Sequence, residues 1–163
     1  MANQRLWAPW RLAYVKDASK DNDDACIFCA KPAEGDDEAA LILHRGERCF
    51  VILNAFPYTN GHLMVAPFEH IARLPELDAE TTAEMMALVQ RSIGLLDGEY
   101  GPQGYNVGVN QGRVAGAGVE GHIHMHVVPR WGGDTNFMPV LGDTRVMPQT
   151  LEQSFEALRG GFD

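Results

Sequence analysis

Residues 121–131 read Gly-His-Ile-His-Met-His-Val-Val-Pro-Arg-Trp, three histidines at alternate positions with apolar residues between them. Side chains alternate between faces along a β-strand. The spacing therefore predicts His122, His124 and His126 on one face, with Ile123, Met125 and Val127 on the other. The apolar face needs burial, so the strand is expected to be central and rigid. A purely structural strand gains nothing from aligning three groups that titrate near neutrality. The row is read as a site rather than an accidental cluster of surface histidines. Two chemistries suit it: alternate histidines on a strand can ligate one metal ion, and a neutral imidazole is a good nucleophile towards phosphorus.

The rest of the chain supplies a sheet for that strand. Residues 40–45 and 49–56 are short apolar runs separated by Gly46, Glu47 and Arg48, a predicted hairpin. Pro57 and the Asn60-Gly61 pair mark a turn over 56–62, and 62–67 reads as a third strand. One clear helix is expected over 78–97, capped by Asp78 or by a Thr81/Glu84 capping box, with Met85, Met86, Leu88, Val89, Ile93 and Leu96 as its apolar stripe. Residues 105–112 and 121–131 are further strands, joined by the small-residue loop 113–121. A short helix is expected at about 148–159 in the otherwise irregular tail 132–163. Residues 1–24 read as an arm whose Trp7 and Trp10 pack against the body or a second subunit. The economical answer is one α+β domain over 1–163, built on an antiparallel sheet.

Charge and cysteine usage narrow the function. A formal net charge of −9 argues against long nucleic acids, whose phosphates need a basic footprint, though not against a single nucleotide. No apolar run approaches the roughly 18 residues of a membrane span, and residues 1–17 lack the apolar core of a signal peptide. No membrane partner and a cytoplasmic location are expected. Three cysteines, Cys26, Cys29 and Cys49, are too few and too odd for a disulfide framework. Cys26 and Cys29 have the spacing that lets two thiolates bind one metal, with redox activity as the competing use. Cys49, inside an apolar run, is expected as a small buried hydrophobe.

The run His-Ile-His-Met-His-Val-Val resembles the signature of the histidine triad (HIT) family, His-φ-His-φ-His-φ-φ with φ apolar. Asn54, His62, His70 and Gln111 stand at spacings from the triad that look like the family's. Residues 130–142 and 6–11 are similar to the branch containing bacterial diadenosine tetraphosphate phosphorylases. The resemblance implies a HIT-like fold, a homodimer with its sheet extended across the interface, and a two-step reaction on a nucleotide or dinucleoside polyphosphate. It implies His124 as nucleophile, His126 as the residue assisting the leaving group, and His62 orienting the cluster. Gln111 and the amides around Gly116 and Gly118 would hold phosphate oxygens, and Asn54 the ribose hydroxyls. Zinc-bearing relatives imply a Zn2+ site of Cys26, Cys29, His70 and His122. One departure is visible: residues 118–121, Gly-Val-Glu-Gly, lack the hydroxyl that many relatives carry before the triad. A nucleoside phosphoramidase, a non-catalytic nucleotide-binding protein and a three-histidine zinc protein are the alternatives. Arg113 and Arg130 are candidates for a distal phosphate or, more commonly, solvated surface cations.

Overall fold

The computed structural model describes residues 26–134 and 146–162. The N-terminal arm and most of the 130–142 segment lie outside those residues. Five strands, β1 (Ile42–Arg45), β2 (Cys49–Leu53), β3 (Leu63–Pro67), β4 (Gly104–Val109) and β5 (Met125–Arg130), form one sheet in the order β1-β2-β3-β5-β4. Every neighbouring pair is antiparallel. The expected hairpin closes between β1 and β2, with the Gly46 amide donating to the Cys49 carbonyl at 2.8 Å. β2 and β3 are buried along their whole length, as central strands covered on both faces must be.

Among the described residues four α-helices accompany the sheet: α1 (Ile27–Ala33), α2 (Asp37–Ala40), α3 (Ala79–Tyr100) and α4 (Leu151–Leu158). On one face, Met85, Leu88, Val89 and Leu96 of α3 and Phe155 and Leu158 of α4 pack on Val51, Leu53, Leu63, Val65 and Val127. On the other, Phe28 joins Ile42, Phe50, Ile52, Met64 and Ala66. The stripe on α3 is narrower than expected. Met86 stays largely exposed, because it lies one residue, about 100°, from Met85. Ser92 takes a buried place in the stripe, its hydroxyl donating to the Leu88 carbonyl at 2.7 Å.

The helix caps differ from expectation in one respect. Asp78 caps α3 alone, accepting from the Thr81 amide at 2.6 Å. Thr81 lies inside the helix, and Glu84 reaches instead to the hairpin, accepting from the Arg48 and Cys49 amides at 3.1 Å. Two amides at a hairpin end leave a carboxylate more donors than a capping box would. The C-terminal helix does carry that motif, from Thr150 and Gln153. α1 runs through Pro32, which falls in the last turn, where it forfeits one backbone bond. Among the described residues no helix is long and apolar enough to cross a membrane.

Candidate functional site

The start of β5, the turn before β3 and α1 meet on the sheet face opposite α3. Only His126 of the three histidines lies within the β5 ladder, which begins at Met125; His122 and His124 stand in the segment leading into it. The alternation survives nonetheless. Ring centroids of His124 and His126 are 4.9 Å apart, and both His122 and His124 face Phe28. Val127 and Met125 pack into the helix-side core.

Hydrogen bonds to groups of fixed polarity assign each imidazole its tautomer. His122 Nε2 donates to the Pro67 carbonyl at 2.8 Å, leaving its Nδ1 bare. His124 Nδ1 donates to the His122 carbonyl at 2.9 Å, leaving Nε2 bare. The Tyr58 amide donates to His62 Nδ1 at 3.1 Å, so the His62 hydrogen sits on Nε2 and is given to His126 Nδ1 at 3.0 Å. His126 therefore keeps its own hydrogen on Nε2. Burial pushes His122 and His124 below the usual histidine range, and burial together with His124 takes His126 down to about 4. All three rings are neutral at pH 7. A bare nitrogen and an N–H donor thus stand side by side, a pair that can attack an electrophile and hydrogen-bond the departing oxygen.

The turn that delivers His62 is built for it. Gly61 has φ +72°, and a Cβ there would meet Tyr100 and Leu96 of α3 at 2.8–2.9 Å. Only glycine satisfies both the left-handed backbone and the close approach. The Tyr58 ring packs on His62 with centroids 4.6 Å apart. Asn54 is brought to this turn, its Oδ1 accepting from the Phe56 amide at 2.9 Å and its Nδ2 lying 3.4 Å from His62 Nδ1.

Gln111 is tied to the segment before α3, and Gly116 to its own loop. Gln111 Oε1 accepts from the Leu74 amide at 2.9 Å, and the Gly116 amide donates to the Arg113 carbonyl at 2.9 Å. Gly118 is half-buried further along the loop. Arg113 pairs with Glu120, and Arg130 with Asp134 and Asn106. Cys49 is buried, its thiol pushed up to about 12 chiefly by desolvation, which makes it an inert hydrophobe.

A second cluster adjoins the row. The ligand atoms of Cys26, Cys29, His70 and His122 all lie within 4.8 Å of one another. His122 Nδ1 is 3.3 Å from Cys26 Sγ and 3.5 Å from Cys29 Sγ, and His70 Nδ1 is 3.3 Å from Cys29 Sγ. Burial and the neighbouring Cys26 raise the Cys29 thiol above its ordinary value. Such thiols become thiolates when a cation joins them. Gly121 keeps the approach open: a Cβ there would lie 3.3 Å from His70 Nε2.

Sequence reasoning missed Phe28 and Tyr58. Both touch the histidines through ring faces, and neither spacing nor residue type in a single sequence signals that. The bracketing of Phe28 by two cysteines was the available hint.

A family model described as the HIT domain matches residues 36–133. The AP-4-A phosphorylase of Mycobacterium tuberculosis is 39% identical, over 93% of this chain and 80% of that protein. The chain belongs to the histidine triad (HIT) family. It is also similar to the adenosine 5'-monophosphoramidase hnt1 of Schizosaccharomyces pombe, 34% identical over 65% of this chain and 74% of that one. Among solved structures, a Zn-bound histidine triad family protein from Mycobacterium smegmatis superposes with a TM-score of 0.67 at 33% identity, over 84% of this chain and 92% of that chain. The fold and the resemblance expected from the sequence are thereby borne out.

Proposed function

We propose that this HIT-family nucleotide hydrolase or phosphorylase cleaves a phosphoanhydride of dinucleoside polyphosphates, diadenosine tetraphosphate first among them, through a nucleotidyl-histidine. The observation that carries the reading is the tautomer pattern: bare Nε2 on His124 beside Nε2–H on His126. In the first step a bond forms between His124 Nε2 and the α-phosphorus while the bridging P–O bond breaks. The leaving polyphosphate oxygen takes the hydrogen bond of His126, and His62 keeps that N–H aimed outward. In the second step the acceptor displaces His124. Inorganic phosphate as acceptor gives ADP and ATP; water gives AMP and ATP. Asn54, Gln111, Gly116 and Gly118 are proposed to contact the nucleotide once substrate enters, with Asn54 nearest the row.

Likeness to the M. tuberculosis AP-4-A phosphorylase over nearly the whole chain supports the substrate class. The S. pombe phosphoramidase is a shorter match and supports the P–N bond as a second substrate of the same first step. Product analysis on diadenosine tetraphosphate, with and without phosphate, tests the proposal. ADP appearing only when phosphate is present identifies a phosphorylase, AMP in both conditions a hydrolase, and an intact substrate refutes the reading.

Zinc fits the second cluster. Tetrahedral zinc with Zn–S near 2.3 Å and Zn–N near 2.0–2.1 Å sets sulfur–nitrogen edges of about 3.6 Å, close to the 3.3–3.5 Å found. The tautomer also fits, since His122 turns its bare Nδ1 to the sulfurs and ties its other nitrogen to a carbonyl. Cys26, Cys29, His70 and His122 would fill all four positions, so the metal would serve structure. Thiols kept for a metal suit a reducing compartment, in keeping with a cytoplasmic protein. Homodimerisation is proposed through β4, an edge strand whose Val107 is 42% exposed.

A further inference from the structure

Phe28 stands between the two cysteines, 1% exposed, with its ring directed at the histidine row rather than simply into the core. Its centroid lies 4.6 Å from that of His124, with 32° between the planes. It also lies 5.3 Å from His122 and 6.5 Å from Phe50. The hydrogen bond from His124 Nδ1 to the His122 carbonyl fixes one ring atom and leaves the plane free to rock about it. An aromatic face packed at this distance removes that freedom. Resting on the reading of His124 as the nucleophile, we infer that Phe28 is a positioning residue for it, holding the plane of the imidazole so that bare Nε2 addresses the phosphorus.

Phe28 has no group that can bond to phosphorus or exchange a proton. It acts by alignment, and near-attack alignment is steep: a misplacement of about 1 Å can cost on the order of 100-fold in rate. The geometry gives α1 two separate routes to the catalytic row. One runs through the sulfurs of Cys26 and Cys29 to His122, and the other through the Phe28 ring directly onto His124. A change that spares the cysteines should keep the metal cluster and still slow the chemistry.

Phe28→Leu and Phe28→Met fill most of the space without a flat face. Steady-state kinetics on diadenosine tetraphosphate should show kcat lower by roughly 10- to 100-fold, with KM within about threefold of the parent. Metal content, measured by elemental analysis on the same preparations, should be unchanged. A raised KM with kcat preserved assigns Phe28 to substrate binding and overturns the inference. So do unchanged kinetics, and so does metal loss in step with kcat. The parent protein supplies a second measurement that needs no variant. In its NMR spectrum the carbon-bound protons of the His124 ring should carry an upfield ring-current shift, and unshifted resonances overturn the contact. Single-turnover trapping on the parent separates the two levels. An adduct on His124 with indifferent Phe28 variants sinks only the positioning role, whereas no adduct sinks the nucleophile and this inference with it.

Discussion

The backbone carbonyl of His122 accepts the Nδ1 hydrogen of His124 at 2.9 Å, while the ring of His122 itself turns Nδ1 to Cys26 Sγ at 3.3 Å. One residue thus holds the proposed nucleophile with its main chain and the cysteine cluster with its side chain. Whatever fixes His122 also fixes the ring two positions on.

Replacing His124 by Ala or Gly should lower turnover by on the order of 10⁴ or more, the scale typical of a lost covalent nucleophile. Far-UV circular dichroism should stay native. The check is product release from diadenosine tetraphosphate together with mass-spectrometric search for an adduct. Turnover at the parent rate would remove His124 from the mechanism.

His62→Ala should damage the leaving-group step without touching the nucleophile. It deletes the donor to His126 Nδ1 and the acceptor of the Tyr58 amide. The rate is expected to fall about 100-fold, the lower range for an acid–base contributor. Stability should fall by about 1 kcal/mol for each hydrogen bond lost. Substrates with a better leaving group should recover much of the rate, since they need less help from His126. Equal loss on good and poor leaving groups would argue that His62 is only packing.

Purified protein should contain one zinc per chain by elemental analysis, lost in Cys26→Ala and Cys29→Ala but kept in His124→Ala. Retention in His124→Ala excludes a site made of the three triad histidines. A strong chelator should lower the melting temperature, by about 2–4 °C for each kcal/mol of metal linkage in a chain of this size. Zinc-free protein with an unaltered melting curve would leave the cluster without a structural role.

Acid should weaken the fold through His126. Unfolded, its imidazole binds a proton near pH 6.5; folded, only near pH 4, because burial and the neighbouring His124 disfavour the charge. Between those values the unfolded chain holds more protons. Stability is therefore complete above about pH 6.5 and declines as the pH falls through about 4, by up to about 3 kcal/mol. Denaturant midpoints at pH 7, 6 and 5 should fall in that order. A midpoint that rises on acidification contradicts the neutral row.

Val107→Glu should leave a monomer if β4 pairs with a second copy. A charge on an edge strand discourages pairing with another chain, and Val107 is exposed enough to tolerate it in the isolated protomer. Sedimentation velocity on parent and variant decides this. Identical sedimentation places the interface elsewhere.

Local patterns carry much of this molecule. The alternation over 122–127, the hairpin at Gly46 and the Asp78 start of the long helix need only period, turn chemistry and capping, and each is where those rules put it. Spacing singled out Cys26 and Cys29, and the resemblance to zinc-bearing relatives added His70 and His122; the four converge although 96 positions separate Cys26 from His122. Tertiary contact decided the rest. Glu84 left its capping box because two hairpin amides came within reach. α1 formed across a proline because Phe28 is buried against the sheet and the histidines. The tautomers of His122 and His126 depend on the Pro67 carbonyl and the His62 ring, delivered by other segments, and a ring nitrogen takes its hydrogen from what faces it, which no run of letters states.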